Sequence, residues 1–166
     1  EGPNAGNSGG TAIATKIHVG MTTPRIPGGD DSVNDNPYEV VPGHMSAAVI
    51  NGWVRDRFLA VSVYMDVSDK FKIKNRAILL ALGMLIAANG LPYVIMGDWN
   101  NTPQELADTG WLETIDGYIA SPCDPTCCTS MAKTGRVIDY AVVSNRLTPM
   151  IDYITVDESD RFQPRL

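Results

Sequence analysis

The sequence is poor in the residues that mark specialised classes of protein. It has 3 cysteines, 2 histidines and 3 phenylalanines in 166 residues. The cysteines Cys123, Cys127 and Cys128 sit together in "PCDPTCCTS". An odd count without a secretory segment argues against a disulfide framework and favours an intracellular setting. His18 and His44 are far off in the chain, so the cluster lacks the nearby imidazole a zinc site draws on; it reads as a tight loop with buried or free thiols. Charge is sparse as well, at 19% of residues, with 19 acidic against 13 basic side chains and a net charge of −6. Such a surface does not draw in nucleic acid or an anionic membrane, so contact with a polyanion needs a local basic patch or a bound cation. Lys70, Lys72, Lys74 and Arg76 are the one basic group, and they read as the solvated start of a helix. The run "ILLALGMLIAA" (Ile78–Ala88) is too short to span a bilayer.

What is present is a hydrophobic content of 44%, enough for the core of one domain at this length and not for two. Residues 1–10 form a small, polar lead-in loop whose glycines lack the lysine and hydroxyl of a phosphate-cradling loop. The alternation in "TAIATKIH" (Thr11–His18) predicts a strand, and residues 21–42, rich in proline, glycine and aspartate, predict a long irregular loop. "MSAAVI" and "RFLAVSVYM" read as two strands joined through Asn51-Gly52, a short hairpin signal. A helix is expected from about Phe71 to Asn89, with Ile73, Ala77, Leu80, Met84 and Ala88 as its repeat and Asn89-Gly90 as its stop. Its middle is apolar nearly all round, so protein should cover it well. "PYVIMG" is a short buried strand, "TPQELADTG" opens with the cap, proline and glutamate of a helix start, and "RVIDYAVVS" and "MIDYITV" predict two closing strands. Strands in hairpin pairs flanking a helix indicate an α/β (α+β) sandwich with mixed or antiparallel sheets.

The stretch "VIMGDWNNTP" (Val94–Pro103) passes from a buried strand straight into oxygen ligands. Asp98 and Asn100 stand at the carboxyl end of that strand, where α/β folds place ligand groups. Asp139, in "VIDYAVVS", lies in another apolar strand, and a buried aspartate must be paired, hydrogen-bonded or bound to a cation. Two aspartates and an amide suit a hard divalent cation beside a phosphate. The alternatives are plain ones. Asp98 could cap the approach to the "TPQEL" helix, Tyr64 could be a core aromatic, Trp99 reads as packing, and His18 and His44 read as ordinary strand-end histidines.

"VIMGDWNNTP" followed by "RVIDYAVVS", with "LAVSVYM" and a helix ahead of them, resembles the endonuclease/exonuclease/phosphatase (deoxyribonuclease I-like) superfamily. The likeness covers about Gly9 to Leu166 and corresponds to the last two-thirds of such a domain. The resemblance implies a layered sandwich of two face-packed sheets with outer helices, here without its N-terminal strands. It also implies hydrolysis of phosphodiesters or phosphomonoesters that depends on Mg²⁺ or Mn²⁺. By position, Asp98 resembles the aspartate that orients or deprotonates the attacking water. Asn100 resembles the amide that holds the phosphate and shares the metal, Tyr64 a phosphate-contacting residue, and Asp139 the aspartate that fixes the catalytic histidine. Asp160 would add a metal ligand and Arg161 a phosphate contact. The partner implied is a phosphate-ester substrate, nucleic acid being one candidate.

Two departures qualify that implication. The family's metal-binding glutamate and first asparagine precede "GGTAIATK", and the chain, which opens on Glu1, reads as a piece of a longer polypeptide that lacks them. The family's closing serine-aspartate-histidine-x-proline motif appears as "ESDRFQPRL", with no histidine in either register. Arginine can stabilise phosphate charge but cannot exchange a proton near neutral pH. The chain by itself is therefore expected to be nearly inert, to hold its cation weakly, and to be marginally stable or self-associating. A degenerate, non-catalytic domain of the same fold, or a retroelement endonuclease remnant, are the alternatives.

Overall fold

The computed structural model describes residues 10–28, 38–52, 57–127 and 135–156. Within them one seven-stranded sheet forms, and the helices lie against it. Its spine is two β-rich segments, β3 (Met45–Asn51) and β4 (Arg57–Tyr64), paired antiparallel from Met45↔Val63 to Asn51↔Arg57. The connection expected at Asn51-Gly52 runs through residues 53–56, which lie outside the described residues. β4 then feeds helix α1 (Lys74–Asn89), which crosses over to β5 (Tyr93–Asp98), and β5 pairs parallel to β4. β7 (Asp139–Ser144) runs antiparallel to β5, and β6 (Gly117–Ala120) closes that edge. Two short strands, β1 (Met21–Thr22) and β2 (Glu39–Val41), pair with β3 at the other edge. Among the described residues there is one sheet rather than two packed face to face.

Side chains alternate across this sheet. Val61, Val63, Ile95 and Val142 share one continuous core with Ile78, Leu79, Leu82 and Leu85 of α1. The opposite face is partly covered by β1 and the chain before it: Ile13, Val19 and Met21 pack on Ala48, Ile50 and Ala60. Further along that face Met96 is 56% exposed.

The helix orientation corrects the sequence expectation. The repeat Ile73, Leu80 and Met84 lies outward, with Leu80 66% exposed, while Ile78, Leu79, Leu82 and Leu85 are buried. A helix apolar on every side carries no periodic signal to say which stripe meets the sheet, and α1 is covered on one side only. It also starts at Lys74, because Lys70 and Phe71 adopt left-handed backbone angles. The Asp69 carboxylate then accepts the Ile73 and Asn75 N–H groups at 3.3 and 2.9 Å. Gly90, at φ 60°, ends α1 as the Asn89-Gly90 signal predicts.

Other expectations need correction. Thr11–His18 is not a strand, and residues 21–42 hold β1 and β2 at their ends, with 29–37 outside the described residues. "MIDYITV" is not a strand either. A 3-10 helix (Asn145–Met150) containing Pro149 precedes it, and residues 151–156 have no regular structure. Strand β6 and two five-residue helices, α2 (Pro103–Ala107) and α3 (Trp111–Ile115), complete the fold. Only α2 was foreseen; β6 and α3 are too short to show a period. No helix among the described residues is long and apolar enough to cross a membrane.

Gly97 sets how closely the central strands approach. A Cβ there would run into the backbone carbonyl of Val63 on β4. Gly97→Ala is expected to destabilise the protein by about 1–3 kcal/mol or more, because rigid backbone rather than a flexible side chain must yield. Urea denaturation checks this, and an unchanged midpoint would show that the strands can part without cost.

Candidate active site

The register of the sheet brings the polar residues into a row. Asp98, the last residue of β5, is the partner of Tyr64 on β4 and of Asp139 on β7. The Tyr64 N–H donates to the carbonyl of His44, just before β3, at 2.9 Å. Val63, Ile95 and Tyr140 belong to the core beneath α1, so alternation puts Tyr64, Asp98 and Asp139 on the opposite face. Neighbouring positions in such a row are about 4.8 Å apart.

The "GDWNNTP" segment arranges its side chains by turns. The Asp98 carboxylate accepts the Asn100 N–H at 2.9 Å. Asn100 sits at φ 50°, a left-handed conformation that asparagine tolerates better than most residues. Its Nδ2 donates to the Met65 carbonyl at 2.7 Å, which ties the segment to the end of β4. Trp99 is fully buried, donates from Nε1 to the Tyr140 carbonyl at 3.0 Å and stacks on the Tyr140 ring at 5.3 Å. Its packing role is as expected. Asn101 is buried and donates to the Trp99 carbonyl. Thr102 caps α2 in a reciprocal box with Glu105, so that helix has its cap without Asp98.

Asp98 and Asp139 line one cleft of about 460 Å³, together with Met96, Thr126 and residues 154–156. Asp139 is exposed, against the expectation of a buried carboxylate, because it is the first residue of β7 and not an interior one. Its own N–H donates to Thr126 Oγ1 at 3.0 Å. Tyr64 is half-buried on the adjoining strand, and Asn100 is folded back toward Met65. Asp160 and Arg161 lie outside the described residues, as does Cys128. Cys123 is exposed and Cys127 half-buried, both as free thiols.

Partial burial pushes the Asp98 carboxyl above its ordinary range; the Asn100 N–H pulls it down, and the charge of Asp139 pushes it up again. A divalent cation would relieve both burdens, and two carboxylates beside a carbonyl-rich strand end are the hard oxygen donors Mg²⁺ or Mn²⁺ takes. The fit is partial, since no group of three His, Cys, Asp or Glu side chains able to hold a metal occurs among the described residues.

His44, read from the sequence as an ordinary strand-end histidine, stands just before β3. Its Nδ1 lies 2.8 Å from the Tyr64 carbonyl and its ring stacks on the Tyr64 ring at 6.1 Å and 22°. Extending the β3–β4 register by one residue past Met45↔Val63 would have placed it opposite Tyr64.

The raised Asp98 carboxyl has a stability consequence. As pH rises through the ordinary value of 3.8, the unfolded chain gives up this proton before the folded one. Ionising Asp98 therefore subtracts stability above that pH. Asp98→Asn keeps an acceptor for the Asn100 N–H and removes the charge. It is expected to raise Tm at pH 7 by about 1–3 °C and to have little effect at pH 3. A shift equal at both pH values, read by calorimetry, would assign the effect to packing instead.

The model of the Endonuclease/Exonuclease/phosphatase family matches residues 2–160. No curated protein matches the chain. Among solved structures, it is similar to the endonuclease domain of TRAS1, a telomere-specific non-LTR retrotransposon, with 15% identity and a TM-score of 0.56 over 85% of this chain and 74% of that one. It is also similar to a 3'-5' exonuclease from Neisseria meningitidis, with 16% identity and a TM-score of 0.50 over 89% of this chain and 66% of that one. The catalytic domain of human Nocturnin matches at 15% identity with a TM-score of 0.45, over 61% of this chain and 41% of its own length.

Proposed function

The chain belongs to the endonuclease/exonuclease/phosphatase family, and from that premise we propose that it carries the water-activating part of a metal-dependent phosphoesterase site. The observation that carries the proposal is the row itself: Asp98 between Tyr64 and Asp139, at the strand end where the sheet opens to a cleft. In this reading Asp98 orients or deprotonates the attacking water, and its raised proton affinity makes it a better base than a free carboxylate. Asn100 and Tyr64 contact the phosphate. Asp98, with the free oxygen of Asn100 and with Asp160, would hold Mg²⁺ or Mn²⁺, and Arg161 would meet the phosphate. Asp139 stands beside Asp98 and shapes its charge. When bound, the cation would neutralise charge on the phosphoryl oxygens.

The substrate class favoured is a phosphodiester. The similar structures with a TM-score of 0.50 or more bear the names of an endonuclease and an exonuclease, which supports nucleic acid. An acidic chain of net charge −6 needs the cation to approach it. Residues 1–166 are read as part of the domain, and the layered two-sheet form of the family would cover the face on which Met96 is exposed. A second reading, a non-catalytic domain that binds phosphate, is favoured by one observation: the absence of a third carboxylate at the site among the described residues.

The test is hydrolysis of a generic phosphodiester and of an abasic DNA duplex, with Mg²⁺ and with Mn²⁺. Turnover by the 166-residue chain is expected to be slow, because "ESDRFQPRL" has no histidine and losing one preorganised group typically costs about 10²–10³ in rate. Asp98→Ala is expected to abolish what turnover there is. Metal-independent turnover, or turnover that survives Asp98→Ala, would overturn the proposal. Thermal stabilisation by phosphate with no hydrolysis under any condition would select the non-catalytic reading.

A further inference from the structure

His44 is not used by the reading above, yet it extends the same row. From β3 outward the order is His44, Tyr64, Asp98, Asp139, and three pairings connect it. His44 and Asp98 are separated by two strand spacings, about 10 Å. A phosphate group placed over Tyr64 would span that separation with a hydrogen bond on either side. Tyr64, in the middle, supplies a ring against which the imidazole lies at 22°.

The hydrogen bond at His44 decides which nitrogen is active. A backbone carbonyl only accepts, so Nδ1, 2.8 Å from the Tyr64 oxygen, must carry a proton. Nε2 is therefore the ring nitrogen left to meet a ligand. No hydrogen bond to Nε2 occurs among the described residues. The titratable groups on the elements around the ring are Glu39 on β2, Tyr64 on β4 and, one strand further, Asp98. The Glu39 carboxylate accepts the Gly43 N–H at 2.9 Å, which holds the β2–β3 turn that presents His44.

We propose that His44 is the general acid of this site, acting on the leaving-group side of the phosphate while Asp98 acts on the water side. The proposal rests on the phosphoesterase reading. Water attacks phosphorus and passes a proton to the Asp98 carboxylate. The bond from phosphorus to the leaving oxygen breaks, and that oxygen takes the Nε2 proton of the imidazolium. His44 ends neutral and Asp98 protonated, and exchange of one proton with solvent at each restores the starting state. Arg161 cannot take this role, since a guanidinium keeps its protons near neutral pH.

The leaving group tells a proton donor from a structural histidine. A nitrophenolate departs without help, whereas an alkoxide needs its proton. His44→Gln is expected to lower Mn²⁺-dependent hydrolysis of an alkyl phosphodiester by about 10²-fold and that of a nitrophenyl diester only several-fold. Equal losses on both substrates, or none on the alkyl ester, would overturn the proposal. Asp98→Ala run in parallel separates the two readings: it should remove turnover of both esters, and its failure to do so counts against the phosphoesterase reading alone. Should the wild-type chain show no turnover, ¹⁵N spectra of histidine-labelled protein decide the matter. Nδ1 of His44 should carry a proton, and inorganic phosphate should shift Nε2 of His44 and not that of His18. A bare Nδ1, or an Nε2 indifferent to phosphate, would refute the assignment.

Discussion

The parallel pairing of β4 with β5 is the constraint on which the rest depends. Parallel strands require a long crossover, here α1, which buries one face of the sheet and leaves the other to face away from the helix. Both strands then end at the same level, Tyr64 beside Asp98. Their approach is fixed by Gly97, whose missing side chain lets the Val63 carbonyl lie where a Cβ would be. After Asp98 the chain turns back through the left-handed Asn100 and is tied to β4 by the Asn100–Met65 hydrogen bond. The site is thus held by backbone geometry at two strand ends and not by a loop.

Trp99 converts that local turn into a global anchor. It follows the exposed edge of Asp98 by one residue, points the other way, and is fully buried between Tyr140 and Trp111. Its indole N–H ends on the Tyr140 carbonyl and its backbone N–H on that of Ile138, so β5 and β7 stay joined past Asp98. Asp139 is the residue immediately before Tyr140. A single aromatic contact on the helix side therefore sets the spacing of two carboxylates on the cleft side, which is how core packing reaches the chemistry.

The legible parts of the sequence were those with a local physical signature. Thr102, Pro103 and Glu105 gave α2 its start because a capping box is a short-range hydrogen-bond pattern. Asn89-Gly90 gave α1 its end for a similar reason. The outward stripe of α1 was not legible, since Leu80 and Leu82 differ in burial and hardly in chemistry. Thr11–His18 alternates as a strand does but forms none, and it covers the sheet face instead, with Ile13 and the following Val19 in contact. Asp98, Asn100 and Asp139 were conspicuous as polar residues set into apolar strands. His44 was not, because its meaning lies in a cross-strand pairing with a residue 20 positions away.

The electrostatics of the row follow from burial and order together. Asp98 carries a raised proton affinity because it is partly withdrawn from water and has Asp139 for a neighbour. The Asn100 N–H opposes this but does not cancel it. Asp139 is exposed, so solvent screens its own charge and much of what it imposes next door. The central carboxylate is therefore the one disposed to accept a proton. In the proposed reading, one aromatic strand position separates Asp98 from His44, so the two sides of a phosphate ester fall to different side chains.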